Sequence, residues 1–311
     1  LPENVEDLLP RQAKLLENYR RKLLDLYAKN GYELIIPSLL EYAESLNAFG
    51  KDLDLDTFKV VDQLSGRMMG VSSDLTTQTS RIDSQLIQEG DLNKLCYAGP
   101  VLRAKTALTQ SRELYQVGIE YFGNSDIEAD IEVQIILINS LKLLNIKDVT
   151  LDINDLDIYN QLILELELSE EDKIFIAEAL MIKDKNALRK ILKQYNKNVA
   201  SEQLVELVDL YGDKDVLDQI VKLIPGNKEI KSSVDKLKSL YEVLIDTGIK
   251  LSFDFSDIRG YQYHSGLIFS AYSPSYSTAI AQGGRYDNIK NNRAATGFSM
   301  DLRFIINQMK V

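Results

Sequence analysis

The sequence predicts an α+β fold: a largely antiparallel sheet flanked by helices and interrupted by a helical insertion. Three observations carry this. Short β-prone runs cluster before residue 154 and return after residue 250. Between them glycine is scarce, charge is dense, and apolar residues recur at three- and four-residue intervals, the pattern of amphipathic helices. Strands on both sides of a helical block place that block inside one sheet domain. The predicted organisation is a core over residues 1–153 and 229–311 with a helical insertion subdomain over 154–228.

The first helix is predicted from Arg11 to Asn30, where Leu15, Leu16, Tyr19, Leu23, Leu26 and Tyr27 fall at helical spacing and Gly31 supplies a stop. Tyr32 to Ile36 reads as a strand that Pro37 ends, because proline cannot extend the hydrogen-bond ladder. A hairpin is predicted between Phe58 and Gly70, turning at Ser65-Gly66. Ser72-Ser73-Asp74-Leu75-Thr76-Thr77-Gln78-Thr79 opens a helix, with side chains able to accept from its first N–H groups. Two readings of that run stay open, a cap alone or a cap that also meets a ligand.

Strands follow over Lys94 to Arg103 and Glu113 to Phe122. Alternation in the second puts Gln116, Gly118 and Glu120 on one face and Tyr115, Val117 and Ile119 on the other, so polar groups converge on one side of the sheet. A helix from Glu128 to Leu144 and a strand from Val149 to Ile153 complete the first half. Within the insertion, Ser169 to Ile182, Lys185 to Tyr195, Ala200 to Tyr211 and Asp215 to Ile224 read as short helices, broken at Pro225-Gly226 before a longer one that ends at Gly248. Strands are predicted over Leu251 to Phe255, Gly266 to Tyr272 and Thr278 to Gln282, and a last helix from about Asp301.

Composition excludes several function classes. At 311 residues, 45% hydrophobic and 27% charged, the chain can bury a substantial core. A single cysteine, Cys96, rules out an intramolecular disulfide, and one histidine, His264, leaves no ligand cluster for structural zinc. No apolar run reaches membrane-span length and the first residues lack the order of a signal peptide, so a cytoplasmic protein without membrane contact is expected. The chain begins at Leu1 rather than methionine, which allows for further residues before it. A net charge of −11 opposes broad contact with phosphate backbones. Arg11, Lys14, Arg20, Arg21 and Lys22 form the nearest thing to a basic patch, and they share a helix with Leu15, Leu16, Tyr19, Leu23, Leu26 and Tyr27 at helical spacing, as a solvated face does.

Taken in order, the helix–strand–Pro37 start, the Gly99-Pro100-Val101-Leu102-Arg103 run with Gln116-Val117-Gly118-Ile119-Glu120, and Gly297-Phe298-Ser299-Met300-Asp301-Leu302-Arg303 are similar to the three motifs of class II aminoacyl-tRNA synthetases. Arg259-Gly260 with Tyr263, and Gly283-Gly284-Arg285-Tyr286-Asp287, resemble the two histidine-recognition segments of histidyl-tRNA synthetase. The resemblance spans nearly the whole chain. It implies a histidine-binding pocket formed by Asp74, Thr76, Arg103, Gln116, Glu120, Arg259, Tyr263, His264 and Tyr286. Within that set Asp74, Thr76, Gln116 and Glu120 face the ammonium and imidazole, and Arg103 the carboxylate side. A zwitterion needs acceptors at one end and a cationic donor at the other. Arg259 is left either an adenylation role or a role in binding the histidine carboxylate, and His264 either shapes the pocket or packs.

Departures from the synthetase pattern concern ATP. Lys105 stands where an acidic residue would hold adenine, the Glu-Arg pair of the third motif has become Arg303-Phe304, and Asp301 replaces a glycine, adding bulk and negative charge beside a triphosphate position. Such a site should repel ATP. The chain stops at Val311, just after the third motif, so no anticodon-binding domain is expected. The family resembled most is the regulatory subunit of short-form ATP phosphoribosyltransferase. That resemblance implies a non-catalytic chain without cofactor or metal, which dimerises, assembles with the catalytic subunit as a hetero-octamer, takes histidine as feedback effector in the first step of histidine biosynthesis, and does not bind tRNA. The enzyme-class rival is a truncated histidyl-tRNA synthetase that still adenylates histidine, and a third reading is a scaffold that binds no ligand.

Overall fold

The computed structural model describes residues 1–46, 55–87, 92–105, 111–195, 199–261, 263–287 and 293–309. The chain forms two compact units, Leu1–Asp148 with Ala271–Val311, and Val149–Ser270. The segment 154–228, predicted as an insertion, lies within the second unit.

In the first unit, α1 (Pro10–Lys29) starts on a proline, which has no N–H to leave unpaired, and ends before Gly31 at φ +83°. It buries Leu16, Leu23 and Tyr27, and the Tyr27 ring meets Phe298 edge-on at 6.2 Å. Its basic cluster is a helix face with internal ion pairs. Arg20 and Arg21 both hold Glu17, at 2.7 and 2.6 Å, and these guanidinium contacts lower the Glu17 pKa to about 2.

The main sheet of this unit runs β1-β5-β6-β12-β11, with β1 (Glu33–Leu34), β5 (Asn93–Leu102), β6 (Glu113–Phe122), β11 (Ala281–Asp287) and β12 (Ala294–Asp301). Its pairs are antiparallel except β1 with β5, which is parallel. The strand predicted over Thr278 to Gln282 begins only at Ala281. A small antiparallel sheet, β2 (Leu40–Tyr42), β4 (Met68–Val71) and β3 (Lys59–Val61), contains the predicted hairpin in the register Val61↔Met68. The helices are α2 (Ala43–Leu46), α3 (Leu75–Gln85), α4 (Ile127–Leu143) and, at the end of the chain, α11 (Leu302–Gln308).

Strand β6 carries Gln116, Gly118 and Glu120 on one face, toward Tyr97 and the start of α3. Its side chains do alternate in direction, but every residue from Gln116 to Phe122 is buried, because both faces of this central strand are covered. Packing on both sides erases the exposure difference that alternation normally reports.

The second unit contains β7 (Thr150–Asp155), α5 (Leu156–Leu164), α6 (Glu170–Met181), α7 (Lys185–Leu192), α8 (Val199–Leu207), β8 (Tyr211–Gly212), α9 (Asp215–Leu223), α10 (Lys228–Leu244) and β9 (Lys250–Asp254), followed by most of β10 (His264–Tyr272). Caps set the helix starts, with Asp155, Ser169, Asp184 and Asn227 each accepting from a first-turn N–H. β9 pairs parallel with β7 and antiparallel with β8. Tyr211, predicted as the end of a helix, is therefore a strand residue, paired with Asp254; the β9 edge supplies backbone partners that no local pattern announces.

Candidate functional site

The polar side chains of the first unit converge where α3 starts over β5 and β6. Asp74 is the N-cap of α3, and its Oδ1 accepts from Thr76 N at 2.8 Å and from Gln116 Nε2 at 3.2 Å. Gln116 Oε1 in turn accepts from Leu75 N at 2.7 Å, so two side chains satisfy the first two N–H groups of the helix. Arg103 follows β5, donates through Nε to Ser73 O at 3.3 Å, and brings Nη2 to 3.8 Å from Asp74 Oδ2. Asp74, Thr76 and Arg103 are only half-buried, while Gln116 lies beneath them.

Deeper still is Glu120, 1% exposed. Its Oε1 accepts from the Tyr97 hydroxyl at 3.2 Å and its Oε2 from the Tyr286 hydroxyl at 2.9 Å. The Tyr97 oxygen is also 3.0 Å from Thr76 Oγ1. Burial pushes the Glu120 carboxyl up to about 8, with the nearby Asp74 charge acting the same way; hydrogen bonds from Thr76, Tyr286 and Tyr97 oppose the rise. Burial first, then the charges of Glu120 and Asp74, hold the Tyr97 phenol well above its ordinary range, so it remains protonated.

Two glycines make room for this network. A Cβ on Gly297 would stand 2.0 Å from Glu120 Oε2 and 2.4 Å from Ile119 O. On Gly118 it would stand 2.3 Å from Phe298 O and 2.6 Å from the Tyr97 hydroxyl. Both are far inside van der Waals contact, so the motif glycines are steric requirements of the buried carboxylate and phenol.

Asp74, Thr76, Arg103, Gln116, Glu120 and Tyr286 are thus brought together by the first unit. Arg259, Tyr263 and His264 belong to the second. There Arg259 grips Asp257 through both Nε, at 2.7 Å, and Nη2. Tyr263 N and His264 N each donate to Gly260 O at 2.8 Å, and the two rings meet edge-on at 4.9 Å. Tyr97 is the residue that no sequence motif singles out; only the register Tyr97↔Gly118 places its ring over a glycine and against Glu120.

The segment that would clamp phosphates is turned to structural use. Asp301 caps α11, accepting from Arg303 N at 3.0 Å and from Tyr115 N at 3.1 Å. Burial raises its pKa. The Arg303 guanidinium is buried against Glu113, at 3.2 Å, and the Glu6 carbonyl. Phe304 is buried with its ring 5.8 Å from that of Tyr276. In the other direction, Arg285 of the glycine-rich run holds buried Asp130 with Nε at 3.1 Å and Nη2 at 2.5 Å, and donates to the carbonyls of Asn124 and Asp126. It ties β11 to the start of α4.

Comparison with known proteins gives the same picture. The histidyl-tRNA synthetase family model matches residues 4–305. Proteins named ATP phosphoribosyltransferase regulatory subunit are similar along the whole chain: that of Methylobacillus flagellatus is 40% identical, covering 100% of this chain and 82% of its own, and that of Thiobacillus denitrificans is 42% identical, covering 98% and 96%. Among solved structures, an ATP phosphoribosyltransferase regulatory subunit/histidyl-tRNA synthetase from Bacillus halodurans superposes with a TM-score of 0.88 at 25% identity, covering 100% of this chain and 83% of its own. A chain of the ATP phosphoribosyl transferase (HisG:HisZ) complex from Thermotoga maritima has the same fold, with a TM-score of 0.73 at 18% identity, covering 95% and 98%. The chain belongs to the histidyl-tRNA synthetase family and, within it, to the ATP phosphoribosyltransferase regulatory subunits.

Proposed function

We propose that this chain is the non-catalytic regulatory subunit of a short-form ATP phosphoribosyltransferase, binding histidine and conveying feedback inhibition to a separate catalytic chain in the first step of histidine biosynthesis. One observation carries the reading. The acceptor-rich cluster of Asp74, Thr76, Gln116 and Glu120 is assembled and internally ordered, while Arg303 and Phe304 are folded into the protein. Acceptors suit an α-ammonium and a ring N–H. A guanidinium buried against a carboxylate and a carbonyl has no reach toward a triphosphate, which speaks against histidine adenylation.

The names of the relatives supply the partner. On this reading the chain works in the cytoplasm, forms a dimer, and joins the catalytic chain in a hetero-octamer. The helices of 154–228 are then an insertion into a core formed by 1–153 and 229–311, and Tyr286 joins Asp74, Thr76, Arg103, Gln116 and Glu120 in the histidine pocket. Regulation requires histidine to bind the inhibited state more tightly, by a coupling of about 1–3 kcal/mol.

The test is calorimetry with histidine and then ATP, on the chain alone and reconstituted with the catalytic chain, together with histidine-dependent pyrophosphate exchange. Expected are histidine binding, no pyrophosphate exchange, and phosphoribosyl transfer by the complex that histidine inhibits. Exchange by the purified chain would support the synthetase rival, and absence of histidine binding in the complex would leave a scaffold.

A further inference from the structure

We infer that Tyr97 is a positioning residue of the amino-acid site: its buried phenol couples Glu120 to Thr76 and thereby sets which way the Thr76 hydroxyl faces. The inference rests on the amino-acid reading above and extends it to a residue outside the recognised motifs.

Tyr97 is fully buried and its oxygen is engaged by Glu120 on one side and Thr76 on the other, so it acts through these neighbours. Its oxygen lies 3.2 Å from Glu120 Oε1 and 3.0 Å from Thr76 Oγ1, and it has one proton to give. When Glu120 is ionised, both phenols donate to it, Tyr97 through Oε1 and Tyr286 through Oε2. The Tyr97 oxygen then offers only lone pairs, and the carboxylate itself also draws the Thr76 proton, so Thr76 directs that proton inward. The Thr76 oxygen is left as an acceptor on a half-buried residue, the form an ammonium group needs.

When Glu120 carries a proton, the chain can run the other way. The carboxyl hydroxyl donates to a phenol oxygen, the Tyr97 proton turns to Thr76, and Thr76 presents its own proton outward, opposing an ammonium. Binding of an amino acid therefore favours ionised Glu120, whose proton leaves to solvent. The groups facing Glu120 are Asp74 and Thr76 at the start of α3, Tyr97 on β5 and Tyr286 on β11, with Tyr32 ahead of β1 close enough to sense its charge. Burial and the Asp74 charge keep the carboxyl at about 8, so a proton is present to be released at neutral pH. The room that Gly118 leaves over its Cα is filled by this phenol, 2.6 Å from where a Cβ would stand.

Two measurements on the full chain test the coupling. Carbon-13 NMR titration of the Glu120 carboxyl in the ligand-free protein should show a higher midpoint in Tyr97→Phe than in wild type, because a donor to the carboxylate is gone; an unchanged midpoint overturns the proposal. Calorimetry with L-histidine at pH 7, in phosphate and in Tris, should show proton release by wild type. Tyr97→Phe should bind roughly three- to tenfold more weakly, the loss expected for one hydrogen bond, and release fewer protons. A purely structural tyrosine would weaken binding and leave proton release unchanged, which also overturns the proposal. Thr76→Val, nearly isosteric and half-buried, cuts the same chain from its outer end and should reduce proton release with Tyr97 in place. If wild type binds no histidine, the amino-acid reading falls, while the NMR comparison still decides whether Tyr97 and Glu120 are coupled.

Discussion

The hydroxyl of Tyr286 donates to Oε2 of Glu120 at 2.9 Å, and the two residues lie on β11 and β6, strands separated by β12. The bond has to pass over β12, where Gly297 stands directly opposite Glu120 in register. A bare backbone at that point is what lets the contact form.

Gly297→Ala should therefore damage the site and the fold together. Its Cβ would meet both a side-chain oxygen and the rigid Ile119 carbonyl, and overpacking of this kind costs about 1–3 kcal/mol. Thermal unfolding should show a lowered Tm, and histidine affinity should fall with it. A variant with wild-type Tm would mean that β6 and β12 separate more easily than their pairing implies.

Glu120 should leave a signature in the pH dependence of stability. Its folded pKa, about 8, lies above the ordinary glutamate value of 4.5, so the folded state holds the proton more tightly than the unfolded chain. The associated stability is fully present below about pH 4.5 and is lost as pH rises through about 8. Glu120→Gln, which stays neutral, should flatten the decline of Tm across that window. Equal slopes for variant and wild type would show that the folded carboxyl is already ionised through that window.

Arg285 is predicted to be structural. Asp130 is buried and its Oδ2 accepts from both Nε and Nη2 of Arg285, so Arg285→Met would take the guanidinium away from a buried carboxylate, a change that typically costs about 3–5 kcal/mol. Arg285→Lys should recover only part of this, because an ammonium cannot reproduce the fork that also reaches the carbonyls of Asn124 and Asp126. Chemical denaturation of the two variants beside wild type measures the difference; full stability in Arg285→Met would contradict the assignment.

Binding to tRNA should be weak and should collapse with salt, given the net charge of −11 and the pairing of Arg20 and Arg21 with Glu17 on α1. Filter binding across a salt series is the measurement. Tight, salt-resistant selection of histidine tRNA would show a basic surface that the charge balance conceals.

Much of the local structure was legible because its causes are local. The Ser65-Gly66 turn between two β-prone runs, the acceptors before α3 and α6, and the glycine after α1 act over a few residues, and each appears where the residues place it. The candidate site was proposed as a set of positions through its resemblance to a known family, and the first unit brings six of them together. What each side chain touches was not legible. Asp74 and Gln116 turned out to share the start of α3 between them, and Glu120 to be enclosed by two phenols.

By itself, then, the sequence determined the α+β class, the order of many of the helices and strands, the family, and the replacement of the phosphate-clamping pair by Arg303-Phe304, since residue identity and periodicity specify these. Only the tertiary structure decided that β6 is buried on both faces, that Tyr211 pairs with β9, that Arg285 closes on Asp130, and that Tyr97 lies over Gly118 against Glu120. These depend on strand register and on contacts between residues more than twenty positions apart, where closing the chain brings together groups whose spacing along it carries no information about their distance.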